Sequence, residues 1–224
     1  MISRLIALIP AYNETARVRD VVTQTRQHVD EVVVIDDGST DDTAVTAENA
    51  GAKVLRHDRN RGKGGAIATG LDFFRRSDAE FAIFLDADGQ HDPAEIGKFV
   101  ETAECEHADV VVGTRMNDVR DMPQLRLWTN QFTSWVTGHL ARQKIPDSQC
   151  GFRLLRRSVL KDLNFSTVQF ETETEMLIQA GRAGRKIAHV PIRTIYEHGR
   201  TSRIHPWHDT VRFFKLVGKY WPVI

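Results

Sequence analysis

Asp86-Ala87-Asp88-Gly89-Gln90 follows directly on an apolar run, residues 81–85 (FAIFL). Alternate residues at a strand end point the same way, so the two carboxylates converge there. Two carboxylates that close repel each other and call for a cation. Oxygen donors with open positions suit Mg2+ or Mn2+, which stabilises a departing diphosphate as a Lewis acid. Asp86, Asp88 and Gln90 are the candidate metal ligands, with His91 beside them.

Two further polar clusters end apolar runs in the same way. Pro10-Ala11-Tyr12-Asn13-Glu14 closes the first, and Asp36-Asp37-Gly38-Ser39 closes EVVVI. In an open α/β sheet, ligands bind outside the carboxyl ends of the strands. Tyr12 offers a ring to stack on a nucleobase, and Asp36 or Asp37 an acceptor for base or ribose. Asn60-Arg61-Gly62-Lys63-Gly64-Gly65-Ala66 opens a helix with glycines and two cations, which suits an anion at the positive helix end. Its spacing matches neither a Walker P-loop nor a dinucleotide fingerprint. Arg115 follows VVVGT; Arg126 and Asn130 are four apart on one helical face; Arg153 and Arg203 come later. Guanidinium forks match phosphate. If the acceptor is a hydroxyl, a base is required, and Asp147, Glu171 and Glu173 are the carboxylates to test. The nine histidines show no zinc spacing, and Gly-x-Ser-x-Gly is missing.

The elements that must position these residues are legible from periodicity. Residues 4–9, 31–35, 52–56, 81–85 and 110–113 read as strands. Helices are expected over 15–29, after Ser39 and Thr40 as caps, over 62–74, and from Pro93 onward. Strands alternating with helices imply a parallel sheet covered on both faces. Past Gly113 the rhythm changes: 117–124 reads as a loop, 126–141, 171–183 and 208–220 as helices, and 152–155, 187–190 and 194–196 as short strands. One compact domain over 1–224 is expected.

The chain has 224 residues, 30 basic and 30 acidic, so its net charge argues against a general nucleic-acid binder. The balance hides a split: residues 1–110 hold 12 basic and 21 acidic side chains, residues 111–224 hold 18 and 9. An acidic half suits a cation and a basic half suits phosphate. Two cysteines make no disulfide framework, which favours a reducing compartment. No apolar stretch reaches the ~18–20 residues a membrane span needs. Trp128, Phe132 and Trp135 sit in a basic neighbourhood, and Val211, Phe213, Phe214 and Trp221 are interleaved with Arg212, Lys215 and Lys219. Aromatics beside cations suit a membrane interface.

IPAYNE (9–14), DDGSTDDT (36–43), NRGKGGA (60–66), DADGQH (86–91), GTR (113–115) and DSQCGFR (147–153) stand in the order found in family 2 glycosyltransferases. The chain resembles that family, and within it the dolichol- and polyprenyl-phosphate sugar transferases. The resemblance implies an α/β, Rossmann-like GT-A fold: a mostly parallel sheet flanked by helices, with residues 1–115 as the nucleotide-sugar and metal-binding half and 116–224 as an irregular acceptor-binding half. It implies a donor site of Pro10, Tyr12, Glu14, Asp36, Asp37, Lys63, Asp86, Ala87 and Asp88, with Asp86, Asp88 and Gln90 holding Mg2+ or Mn2+. It places Arg115, Arg126, Asn130 and Arg203 toward acceptor phosphate, and Asp86, Asp88, Asp147, Arg115 and Arg153 at the chemistry. Arg203 stands where the family often has lysine after Gly-x-Ser, a departure in the tract Gly199–Arg203.

The expected reaction is metal-dependent, inverting transfer of a sugar from a nucleotide diphosphate sugar to a polyprenyl phosphate. The alternatives are transfer to a hydroxyl of a glycan or glycolipid, and a non-catalytic nucleotide-sugar-binding scaffold. A sugar nucleotidyltransferase would carry a glycine-rich loop after the first strand, where this chain reads PAYNE. Many family members carry C-terminal membrane helices; this sequence shows none, as in the soluble-domain members. The expected place is cytoplasmic, at the inner face of the membrane, in peripheral contact with lipid or with a membrane protein.

Overall fold

The computed structural model describes residues 4–116, 124–193, 195 and 206–221. Seven strands form one sheet: β1 (Leu5–Ala11), β2 (Glu31–Asp36), β3 (Lys53–Arg56), β4 (Phe81–Phe84), β5 (Val110–Thr114), β6 (Arg153–Arg156) and β7 (Ile187–Pro191). Their order is β3-β2-β1-β4-β6-β5-β7. β1, β2 and β4 are buried almost throughout, which is why they read as continuous apolar runs rather than alternating ones.

The sheet is mostly, not wholly, parallel. β6 runs antiparallel to both neighbours, with Phe84 opposite Arg153 on one side and Val112 opposite Arg153 on the other. The chain moves from β1 through β2 to β3, then returns to place β4 on β1's other side. That reversal opens a crevice between the carboxyl ends of β1 and β4.

Helices α1 (Thr15–Thr25), α2 (Thr43–Asn49), α3 (Lys63–Arg76), α4 (Ile96–Cys105), α5 (Gln124–Ala141), α6 (Glu171–Arg182) and α7 (Pro206–Tyr220) complete the fold, with 3-10 turns at Pro93–Glu95 and Arg157–Asp162. α3 packs on β1, β2 and α6; α6 in turn carries α5 and α7. Phe74, Phe81, Phe99 and Phe152 are fully buried. Burying an aromatic of that size stabilises by roughly 2–3 kcal/mol. A smaller cluster of Val136, Leu140, Ile178 and Leu216 joins α5, α6 and α7.

Four expectations shift. α1 ends at Thr25 rather than Val29. Ser39 does not cap α2, which starts at Thr43; instead Ser39 Oγ accepts from the Asn13 amide. The helix expected from Pro93 begins as a 3-10 turn. The expected strand over 194–196 and most of the 117–124 loop lie outside the described residues.

The charge split is partly closed across the join. Arg156 pairs with Glu80, and Arg185 with Asp109 at 3.4 Å. Lys186 pairs with Glu106 at 3.4 Å.

Candidate active site

The three polar clusters meet at the carboxyl edge of the sheet. After β1, Asn13 takes a left-handed backbone (φ 53°), and its side-chain oxygen accepts from the Thr40 amide at 2.9 Å. The Glu14 amide donates to Thr43 Oγ1 at 2.8 Å. These bonds lace the loop after β1 to the loop after β2. Pro10 is half-buried at the end of β1 and Tyr12 half-buried beyond it, while Glu14 is buried.

Asp36 and Asp37 are both buried at the end of β2. Asp36 Oδ1 accepts from the Ser39 amide at 3.1 Å, and the Arg56 guanidinium lies 3.1 Å from its other oxygen. Asp37 accepts from the Arg61 and Gly62 amides, each at 2.8 Å, and lies 2.7 Å from His57 Nδ1. Asp37, expected to line the nucleoside pocket, carries these three contacts at the end of β2. That carboxylate fastens the Asn60–Gly62 turn to β2. Gly62 needs its positive φ of 84°, a conformation that costs other residues, to start α3 directly beneath this latch. His57, the first residue past β3, was missed; the strand-end rule used for the other clusters would have found it.

Beyond β4, the Asp86 amide donates to His91 Nδ1 at 3.2 Å, and Asp88 Oδ1 accepts from the Gln90 amide at 3.0 Å. Asp86 Oδ1 lies 2.7 Å from Lys63 Nζ, and the same ammonium lies 3.2 Å from Glu173 Oε1. Burial pushes the Asp86 acid upward, but Lys63, with His91 and Arg115 behind it, outweighs that and holds it at about 2. Burial lowers the Lys63 ammonium, and the two carboxylates more than reverse this. Burial holds His91 neutral to lower pH than usual, against the pull of Asp86 and Asp88. Gly151 lies against this cluster: a Cβ there would stand 2.7 Å from Asp86 Oδ2 and 3.1 Å from Lys63 Nζ.

No group of three histidine, cysteine, aspartate or glutamate side chains among the described residues forms a ready metal cage. Asp86 and Asp88 offer hard carboxylate oxygens, and both are half-buried at the crevice. Two carboxylates without a third suit an ion that keeps water and takes phosphate oxygens, as Mg2+ and Mn2+ do. The donor set fits the implied metal on that condition. Gln90 is half-buried beside them, and its carbonyl accepts from the Ile195 amide at 3.1 Å. Ala87 is buried between the aspartates.

The basic side differs most from expectation. Arg115 grips Asp147 with two parallel bonds of 2.8 Å, Nε to Oδ2 and Nη2 to Oδ1, and both residues are buried. Asn130 Nδ2 adds a third at 2.9 Å, and Ser134 joins Asn130 to Ser148. Burial raises the Asp147 acid, but Arg115 and Asn130 draw it below the ordinary range, so as a base it is weak. Its place is to orient Arg115. Arg153 is only 1% exposed, and it donates to the carbonyls of Cys150, Ser148 and Glu173. These bonds tie it to the segment carrying Asp147 and Gly151 and to α6. Burial pushes the Cys150 thiol up to about 12, which makes it inert. Glu171 is half-buried at the start of α6. The Arg126 side chain and Arg203 lie outside the described residues.

The profile described as "Glycosyl transferase family 2" matches residues 6–163. A UDP-N-acetylglucosamine--dolichyl-phosphate N-acetylglucosaminyltransferase of Methanococcus voltae is 34% identical over 227 residues, spanning 91% of this chain and 90% of that one. A polyprenol monophosphomannose synthase of Mycolicibacterium smegmatis is 27% identical over 203 residues, 84% of this chain and 76% of that one. Glucosyl-3-phosphoglycerate synthase from Mycobacterium tuberculosis, crystallised with Mn2+, uridine diphosphate and glucosyl-3-phosphoglycerate, superposes with a TM-score of 0.72 at 21% identity, covering 98% of this chain and 79% of that one. The strand order, the aspartate pair at the crevice and this match together identify the chain as a glycosyltransferase of the GT-A fold that belongs to glycosyl transferase family 2.

Proposed function

We propose that the protein transfers one sugar, with inversion, from a nucleotide diphosphate sugar to the phosphate of a polyprenyl phosphate, in a reaction that needs a divalent cation. An acceptor phosphate oxygen forms the new bond to the anomeric carbon while the bond from that carbon to the diphosphate oxygen breaks. The nucleoside diphosphate leaves with the electron pair. The acceptor oxygen is already ionised near neutral pH, so no proton has to be removed.

The observation that carries this reading is the state of the carboxylates. Asp147 is tied to Arg115 and Asn130, and Glu173 to Lys63. Arg115 and Asn130 draw the Asp147 acid below its ordinary range and make it a poor base, and the Glu173 carboxylate is engaged by an ammonium, which favours a nucleophile that needs no base. The Methanococcus voltae relative is named for transfer to dolichyl phosphate and the Mycolicibacterium smegmatis relative for a polyprenol product, and both names agree with it.

Asp86 and Asp88 would hold Mg2+ or Mn2+, which when bound supplies Lewis-acid stabilisation of the leaving diphosphate. The chain's own residues do the rest. Pro10, Tyr12 and Glu14 bound the nucleoside side of the crevice, with Asp36 buried behind them. Asp37 fixes the turn that starts α3, and so fixes Lys63. Arg115, held in one orientation by Asp147, presents fixed positive charge, and such preorganisation costs no rearrangement during the reaction.

A lipid acceptor requires approach to a membrane. No described helix is long and apolar enough to cross one. α5 turns Asn130, Ser134 and Thr137 inward and leaves Leu125, Trp128, Phe132 and Trp135 exposed, Trp128 at 72%. α7 adds exposed Val211 and Phe214, with Trp221 just past its end. The Phe132 and Phe214 rings meet at a tilt across the two helices, 6.4 Å between centroids, beside exposed Arg212, Lys215 and Lys219. This face is proposed to dock peripherally on an anionic bilayer.

GDP-mannose, UDP-glucose and UDP-N-acetylglucosamine, each offered with polyprenyl phosphate and Mn2+, test the reaction. One pairing is expected to give a glycosyl phosphoryl polyprenol, and EDTA is expected to stop it. Equal transfer to the free polyprenol, or turnover untouched by EDTA, overturns the reading.

A further inference from the structure

Lys63 stands in an unexpected place for a residue that greets a diphosphate. Its ammonium lies against Asp86 at 2.7 Å and against Glu173 at 3.2 Å, and its side chain is only 18% exposed. Asp37 holds the turn before it, and the Phe170 ring lies 5.9 Å from the ammonium. Gly151 closes the other side, and no side chain fits between it and the pair. The ammonium therefore takes one oxygen of a carboxylate that the proposed divalent ion would use, and a second cation brought to the same carboxylate would be repelled by it.

Resting on the glycosyltransfer reading above, we infer that Lys63 is an exchangeable counter-ion that couples metal binding to donor binding. Without nucleotide, Lys63 neutralises Asp86 and keeps divalent ions weakly bound. When a nucleoside diphosphate enters the crevice, its phosphate oxygens take over the ammonium, and Asp86 becomes free for the metal. Glu173 is the second anchor that keeps the ammonium within reach of both positions. Because coupling is reciprocal, metal must tighten nucleotide binding by the same factor. The protein is thereby protected from holding an idle metal at an empty donor site.

The test is binding, not turnover. Mn2+ is titrated by electron paramagnetic resonance, and UDP and GDP by calorimetry, on the wild type, Lys63→Gln, Asp86→Asn and the double variant. Nucleotide-free Lys63→Gln is expected to bind Mn2+ about 10-fold tighter than the wild type, with a smaller nucleotide effect. In EDTA, Asp86→Asn is expected to bind the nucleotide about 5-fold tighter than the wild type by releasing Lys63, a gain absent in the Lys63→Gln background. Equal gains in both backgrounds would mean simple charge removal and overturn the exchange. Crystals of the wild type with Mn2+ and nucleotide give a test free of variants: Lys63 Nζ still on Asp86 also overturns it. If neither UDP nor GDP binds with Mn2+, the donor reading itself fails and this inference falls with it. Nucleotide binding without the Lys63–Asp86 coupling leaves the donor reading standing and sinks only the exchange.

Discussion

The crevice edge of the sheet and the outer face of α5 and α7 treat their side chains in opposite ways. At the edge, Asp37, Asp86 and Asp147 are each held by cations or amide donors. On the outer face, Trp128, Trp135 and Phe214 stand in solvent at 72%, 65% and 53% exposure. The first arrangement fixes charge in space; the second leaves apolar area unused. A polar group that is buried must be paired, whereas an exposed aromatic is stable without a partner and becomes informative only when several form one patch. α5 joins the two, since its inner face carries Asn130 into the Asp147 network and its outer face carries the tryptophans.

That contrast can be broken at four points. Asp88→Ala is expected to reduce sugar transfer by about 1,000-fold or more, as loss of one electrostatic group at the reacting charge does; a scaffold would keep its cellular role in this variant, so complementation beside the transfer assay separates the two. Asp147→Asn leaves Arg115 buried without its anion, and breaking such a pair costs about 3–5 kcal/mol. A lower denaturation midpoint together with lost transfer is expected; an unchanged midpoint would show that the pair does not hold α5 to the strand edge.

Glu175 gives a smaller, pH-dependent effect. It accepts from Ser166, Thr167, Lys219 and Tyr220, and so docks the end of α7. Burial raises its acid, but Lys219, Thr167 and Ser166 reverse that and bring it down to about 2 from 4.5. A depressed acid contributes stability above its unfolded value and loses it as pH falls toward the folded one. Roughly 2 kcal/mol is expected to disappear between about pH 5 and pH 2. Glu175→Gln should flatten that slope in acid titrations followed by circular dichroism. Smallest for stability is the triple change Trp128→Ser, Trp135→Ser, Phe214→Ser, which should stay within about 0.5 kcal/mol. The same variant should lose most of its cosedimentation with anionic vesicles at low salt; retained binding would remove the docking face.

The sequence made some of this legible and hid the rest for physical reasons. EVVVI and VVVGT announce β2 and β5 because buried strands need unbroken β-branched runs, and the polar residues after them mark the crevice. RLLR does not announce that β6 is antiparallel, since four residues specify neither direction nor neighbours. The late start of α2 was hidden because Asp36 and Asn13 claim the Ser39 and Thr40 amides, a contact between distant loops. Arg153 reads as a candidate for phosphate, and a guanidinium in a sequence does not reveal the three carbonyls it donates to. The pairing of Lys63 with Glu173 likewise depends on α3 meeting α6.

β6 carries a consequence for how the molecule is made and how it can be recombined. It comes from the later part of the chain, yet it lies hydrogen-bonded between β4 and β5, which are synthesised earlier. A nascent polypeptide released only as far as β5 presents two open ladders with the wedge between them missing, a state prone to mispairing. A hybrid spliced just after β5 between two homologous enzymes would seat a foreign strand in the middle of the native sheet, so viable junctions must carry β4, β5 and β6 together.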